Sequence, residues 1–219
     1  MKERFKSFKI ILVICTVMTL YFLVKGLVVL PDSEKVLFKG IQLALGLFLM
    51  IIPIVIERKM KVSLPRMLVI FYCIFIIGSV FLGTGFGFYG KIAYWDKLLH
   101  FISAGLLVLF GVSFYLSLLN KAVISTVEMK LCYFFGTFFA ISGGVFWEFY
   151  EFIFDGLLDL NMQRFASKGV DLIGREALMD TMGDLFIDVL GAIAMLVYLL
   201  ITTQKNKSLL NELRIRRIK

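Results

Sequence analysis

Three apolar stretches carry acids at helical spacing, and the single histidine lies among them: Asp96 and His100, then Glu148, Glu151 and Asp155, then Asp180, Asp184 and Asp188. A carboxylate and an imidazole one helical turn apart suit a divalent cation, since carboxylate oxygen serves magnesium and manganese while imidazole adds affinity for iron and zinc. In that scheme Asp96, His100, Glu148, Asp184 and Asp188 are the expected ligands. Glu151 is the expected general base towards a metal-bound water. Asp155 and Asp180, closer to the ends of their stretches, are expected at the rim. Arg164 and Arg175, in the polar segment beside Lys168, are expected to hold a phosphate or carboxylate of the substrate, because a guanidinium grips such groups with two parallel hydrogen bonds. The same carboxylates have a second chemistry, since crowded like charges in a low-dielectric site retain protons and form relays in membrane carriers.

These side chains belong to a chain of 219 residues that is 60% hydrophobic, with a mean hydropathy of +0.91. Soluble domains are about 45–50% apolar, so this is an integral membrane protein. The net charge of +8 does not point to nucleic acid, because the basic residues gather at the ends of apolar runs instead of forming one face. Cys15, Cys73 and Cys132 are far apart within apolar runs and show neither zinc-site nor disulfide spacing. They read as small packed side chains.

The expected architecture is all-α, a bundle of about six transmembrane helices. Runs near 10–30, 36–56, 67–82, 95–119, 129–154 and 181–203 each approach the roughly 20 residues that cross hydrocarbon. Residues 1–66 read as an N-terminal two-helix segment, 67–203 as a four-helix core carrying the site, and 204–219 as a basic tail. The links include Pro31-Asp32-Ser33, Asn120-Lys121 and a polar stretch from Gly156 to Met179. Lys2, Arg4, Lys6 and Lys9, Arg58, Lys59, Lys61 and Arg66, Lys121 and Lys130, and the tail from Lys205 to Lys219 fall on one side of such a bundle. By the positive-inside rule both termini are expected in the cytoplasm, in a multi-pass protein of the bacterial cytoplasmic (inner) membrane.

This topology sets the acids at one depth. Asp96 and His100 share a helical face within about 6 Å of the outer surface, Glu148 and Glu151 follow on the next helix, and Asp188 lies about 12 Å in. Each acid facing lipid at a helix centre costs about 2.5–3.5 kcal/mol, so these faces must turn inward. Lys97 is offset from the face of Asp96, so few helical cations answer the cluster in this reading. Gly143-Gly144 and Gly191 are expected to allow close helix approach beside it. Gly85-Phe-Gly87-Phe-Tyr-Gly90 matches a dinucleotide fingerprint literally but lacks the strand that such a site requires.

Through Tyr94-Trp-Asp96-Lys-Leu-Leu-His100-Phe, Trp147-Glu148-Phe-Tyr-Glu151 and Asp180-Thr-Met-Gly-Asp184-Leu-Phe-Ile-Asp188-Val-Leu-Gly191-Ala, the chain resembles bacterial YjdF-like inner-membrane proteins. It is more loosely similar to VanZ-like proteins of the cell envelope. The resemblance spans about residues 94–192, and Asp96, His100, Glu148, Glu151, Asp180 and Asp184 match its recurring positions. It departs in lacking a Thr-Gln-Gly stretch before the last acidic helix, and in Asp188 where VanZ-like chains tend to have Asn. The YjdF-like resemblance implies no reaction. The leading expectation is a metal-dependent outward site acting on a lipid or envelope-linked substrate. The alternatives are a proton- or cation-coupled transporter, against which the lack of an internal repeat counts, and a non-catalytic binding or assembly protein of the envelope.

Overall fold

Hydrocarbon offers no water to a free N–H or C=O, so a chain this apolar closes its backbone hydrogen bonds inside each segment, as a helix does. The structure, a computed structural model, describes residues 2–28, 33–119, 121, 123–206 and 208–218. Its helices are α1 (Lys2–Val28), α2 (Ser33–Lys59), α3 (Arg66–Ile76), α4 (Phe88–Lys91), α5 (Trp95–Leu119), α6 (Thr126–Leu158), α7 (Arg175–Lys205) and α8 (Leu209–Glu212). Among the described residues five helical segments are long and apolar enough to cross a membrane: Lys35–Lys59, Arg66–Gly85, Trp95–Leu119, Thr126–Leu158 and Arg175–Lys205. The first expected span corresponds to α1, whose apolar part, Leu12–Lys25, is shorter. Pro31 and Asp32 of the first link and Asn120 of the fourth lie outside the described residues.

The chain divides into two compact units, Met1–Val62 with Tyr72–Trp95 and Ile218–Lys219, and Ser63–Phe71 with Asp96–Arg217. In the first, Cys15, Leu43, Met50, Ile76 and Phe81 form the core. The Tyr72 hydroxyl donates to the Leu49 carbonyl at 2.8 Å, satisfying a polar tip within an apolar layer. α3 passes into a π-helix, Ile77–Gly85, and Gly87, at φ 74°, starts α4. The literal glycine fingerprint therefore joins two helices, without the strand of a nucleotide-binding turn.

In the second unit α5, α6 and α7 pack around Ala104, Val108, Leu109, Val112, Cys132, Tyr133, Ala140, Ala192 and Leu199. Outside this core Phe134, Phe138, Phe146, Phe149 and Phe152 of α6 are exposed. So much exposed aromatic surface suits a hydrocarbon surrounding and not water. α6 begins with a capping box in which Ser125 Oγ accepts from the Glu128 N–H at 3.2 Å and Glu128 Oε2 accepts from the Ser125 N–H at 2.9 Å. Lys121 Nζ adds a 2.6 Å contact to the other Glu128 oxygen, which raises the lysine's own pKa from its ordinary value.

Two helices exceed their expected limits and shorten the polar link between them. α6 continues to Leu158 and α7 starts at Arg175, so Arg175 lies in a helix and Asp180 stands beyond the first turn of α7, not at its N-terminus. Gly174, at φ 63°, is what begins α7, with Glu176 in the first turn favoured by the helix dipole. Between the helices, Ala166–Ser167 pairs antiparallel with Val170–Asp171 across Lys168 and Gly169, whose positive φ angles of 53° and 78° suit a two-residue hairpin turn. The basic tail also has tertiary structure: Leu209 and Leu213 are buried in the core, and the Ile215 N–H donates to Ser117 Oγ at 3.2 Å.

Candidate functional site

α5 enters the bundle from Tyr94, whose φ of 61° turns the chain into the helix, and its first turns present Asp96, Lys97 and His100. α7 meets this face with Asp180, Asp184 and Asp188, successive i+4 positions on one stripe. The approach is close because Gly191 has no side chain. A Cβ there would lie 2.5 Å from the Phe101 carbonyl oxygen.

Lys97 crosses to α7 instead of sharing the face of Asp96. Its Nζ lies 2.6 Å from Asp180 Oδ1, 3.1 Å from the Asp180 carbonyl oxygen and 2.7 Å from Asp184 Oδ2. The expectation that helical cations leave the acids unanswered is therefore corrected. Being off the Asp96 face is what aims Lys97 at the neighbouring helix.

His100 is held from the opposite side. Its Nδ1 is 3.3 Å from both Asp188 oxygens, and its Nε2 is 3.6 Å from Asp184 Oδ1. A carboxylate only accepts, so Nδ1 presents a proton to Asp188, and Nε2 is turned towards Asp184 Oδ1. Asp184 is fully buried and its Oδ1 has no hydrogen-bond partner. One ligand atom from each of Asp96, His100 and Asp184 falls within 4.8 Å of the others. Metal–ligand bonds of about 2.0–2.2 Å set neighbouring tetrahedral donors about 3.3–3.6 Å apart, the range into which the Nε2 to Oδ1 distance falls.

α6 supplies the third wall through Gly144, Glu148, Glu151 and Asp155, which recur along one helical stripe. Gly144 is the seat of Asp188, since a Cβ at that position would collide with the Asp188 carboxylate. Gly143 instead abuts the Leu107 side chain. Glu148 and Glu151 are both buried, and both lie within electrostatic reach of His100. Glu148 Oε2 accepts from Gln163 Nε2 at 3.1 Å, while its Oε1 is buried without a partner. Glu151 Oε1 accepts from Trp147 Nε1 at 2.9 Å.

Asp155 has a different task. Its two oxygens accept the N–H groups of Met162 at 2.8 Å and Gln163 at 2.9 Å, so it fixes the chain as it returns from α6. The next residue, Arg164, half exposed at φ 49°, brings its guanidinium 3.6 Å from Asp96 Oδ2 and 3.9 Å from Asp180 Oδ2. Both distances exceed hydrogen-bond length, so its donors have charge partners without being saturated by them. Arg175 is exposed and forms no ion pair among the described residues.

The expected ligands thus divide. Asp96, His100 and Asp184 converge on one point, Asp188 orients the imidazole, and Glu148 bonds to the loop. Lys97, Gln163 and Trp147 are members that spacing alone did not reveal. The available signal was the position of Lys97, a cation inside an apolar helix at the depth of the acids.

No solved structure matches the chain. An uncharacterized protein of Thermotoga maritima is 36% identical over 122 residues, which cover 53% of this chain and 55% of that relative. The chain therefore matches about half the length of that relative. The looser similarity to VanZ-like proteins finds no support in these comparisons. The family described as "Predicted membrane protein (DUF2238)", in which YjdF falls, matches residues 10–205 and so takes in every helix that builds the site; the chain belongs to that membrane-protein family.

Proposed function

We propose that this membrane protein binds a divalent cation through Asp96, His100 and Asp184 and uses it on a phosphate- or carboxylate-bearing lipid or envelope-linked substrate. One observation carries the reading. The His100 imidazole is tied to Asp188 through Nδ1, and its Nε2 faces the unpartnered Asp184 Oδ1. A carboxylate behind the imidazole of a metal ligand is the usual means of fixing its tautomer and orientation. Two carboxylates with one imidazole suit manganese, iron or zinc better than magnesium, which prefers oxygen throughout.

When bound, the metal supplies a Lewis acid and an acidified water. Glu151, buried beside the cluster, is the base assigned to that water. Arg164 is assigned to an anionic oxygen of the substrate, where its fork of donors remains unsaturated. Arg175, remote from these groups in contacts, has only a peripheral part. The positive-inside distribution supports an outward-facing site with both termini in the cytoplasm, in a six-span arrangement that includes α1.

Elemental analysis of the purified full-length protein tests the proposal, with His100→Ala and Asp184→Asn beside wild type. About one equivalent of metal in wild type, lost from both folded variants, is the expected result. A folded wild type that takes up no manganese, iron or zinc overturns it.

A second reading has its own support. Arg164, Asp180, Lys97, Asp184, His100 and Asp188 form an unbroken series of charged contacts from a half-exposed side chain to a buried one. Such a series suits a proton- or cation-coupled carrier. Proteoliposome flux abolished by Asp188→Asn, in a protein without bound metal, is the outcome that selects this reading.

A further inference from the structure

α5 and α6 also form a groove of about 530 Å³, lined by Tyr115 and by α6 residues between Leu131 and Phe146. Among the described residues the hydroxyls of Tyr115 and Ser142 are the only polar side-chain groups in that lining, and no charged side chain reaches it. The walls hold one another. Ring centroids of Phe134 and Phe138 lie 4.5 Å apart, those of Tyr115 and Phe135 5.5 Å, and those of Phe135 and Phe139 6.0 Å. Aromatic pairs at such distances stabilise a shape without an occupant. Leu131, Phe134, Phe138 and Phe146 are nevertheless exposed, within a helix long and apolar enough to cross a membrane, so what fills the groove is hydrocarbon.

Its dimensions narrow the occupant further. The stretch from Leu131 to Phe146 rises about 22 Å. Spread over that length, the volume leaves a channel about 5–6 Å across, room for one chain but not for a helix of a second copy, whose diameter is about 10–12 Å. Leu131, Phe135, Phe139 and Gly143 are successive i+4 positions of the lining, a row that winds obliquely round a helix, and its next two members are Trp147 and Glu151. Trp147 is 44% exposed and its Nε1 donates to Glu151 Oε1, so the row leads from the groove to the carboxylate site. From Glu151 back to Leu131 is about 30 Å of helix, the full thickness of the hydrocarbon. An acyl chain of one leaflet covers about half of that.

We propose that the groove holds the tail of the lipid on which the carboxylate site acts, and that this tail is a polyprenyl chain longer than one leaflet, carried on a phosphate. The inference rests on the lipid reading of the site given above and names its substrate class. The phosphate faces Arg164, the first isoprene units pass Trp147, and the rest of the chain lies along Phe139 and Phe135. A diacyl lipid with its headgroup at the same place ends before the groove is half filled. A single chain that long on a phosphate is the character of a polyprenyl lipid.

The test uses delipidated full-length protein in detergent with a chelator present, titrated with undecaprenyl phosphate, farnesyl phosphate and dioleoyl phosphatidic acid, and read by native mass spectrometry. The three share a phosphate monoester and differ in the chain. Wild type is expected to bind undecaprenyl phosphate about tenfold or more tightly than either of the others, through the added contacts of the longer chain. Ser142→Trp, which fills the groove from an exposed position, is expected to lose that preference and to keep its farnesyl phosphate binding. Val197→Trp, the same bulk on an exposed position of α7, keeps the preference. Phe138→Ala, which removes a wall, is expected to weaken the long chain as well and decides the matter if Ser142→Trp does not fold. Phosphatidic acid or farnesyl phosphate bound as tightly as undecaprenyl phosphate, a preference unchanged in folded Ser142→Trp, or a wild-type dimer that Ser142→Trp dissociates without any chain preference overturns the proposal. Metal content of the same proteins, measured without chelator, keeps the two readings apart: metal without chain preference removes the polyprenyl tail alone, and chain preference without metal removes the metal centre alone.

Discussion

His100 and Asp188 are joined through one ring nitrogen, with Nδ1 3.3 Å from each carboxylate oxygen, and this contact fixes the direction of the other nitrogen. Outer-sphere partners of this kind usually change metal affinity by about 10–100-fold. Asp188→Asn is therefore expected to weaken metal binding by that factor in a folded protein, whereas Asp184→Asn removes a ligand and abolishes it. Metal titration with a competing chelator separates the two. Equal affinity in Asp188→Asn and wild type would contradict the orienting role.

Lys97 holds Asp180 and Asp184 together. Removing one partner of a buried charge pair costs about 3–5 kcal/mol because the other charge is left unpaired, and the partial exposure of Lys97 places this case towards the lower end. Lys97→Met should thus lower the melting temperature in detergent. Adding Asp184→Asn to it should recover part of the loss, a non-additivity that a double-mutant cycle measures.

Gly144 and Gly143 offer a paired comparison. A methyl at Gly144 meets the Asp188 carboxylate, while one at Gly143 meets only the movable end of Leu107. Gly144→Ala is expected to cost about 1–3 kcal/mol and to displace Asp188 from His100, with Gly143→Ala milder. Thermal melts and metal content of both variants check this.

Asp155 acts on the loop and not on the cluster directly. Asp155→Ala removes two charge-assisted hydrogen bonds, each worth about 1.5–3 kcal/mol. Faster hydrogen exchange at Met162 and Gln163 is the expected signature, with the core of α5 unchanged. Protection equal to wild type at both amides would remove Asp155 from this role.

Topology has a direct readout. In a background free of Cys15, Cys73 and Cys132, Lys168→Cys is expected to react with a membrane-impermeant thiol reagent applied to intact cells, and Lys61→Cys only after permeabilisation. The reverse pattern would turn the carboxylate site towards the cytoplasm.

Much of this arrangement was legible because hydropathy and helical period act over many residues at once. The runs around 95–119, 129–154 and 181–203 announced α5, α6 and α7, and i, i+4 counting put Asp184 and Asp188 on one face. What escaped depends on contacts between segments. The period of α5 says that Lys97 is off the Asp96 face, but only the placement of α7 makes that direction useful. Asp155 and Glu148 look alike in sequence, yet the returning loop claims both Asp155 oxygens and leaves a Glu148 oxygen unpartnered. The start of α7 was read too late because Arg175, Glu176 and Asp180 are polar, although polarity near a membrane surface does not prevent a helix from continuing.

The stripe on α6 that runs from Gly144 to Asp155 makes helix phase a single control over the whole wall. Adding one residue to α6 before Gly144 would advance every later position by about 100°. The seat of Asp188, both buried glutamates and the loop anchor would then leave the bundle interior together. Length variation within this helix is therefore far less tolerable than length variation in the hairpin at Lys168 and Gly169, which shifts no side chain of the stripe.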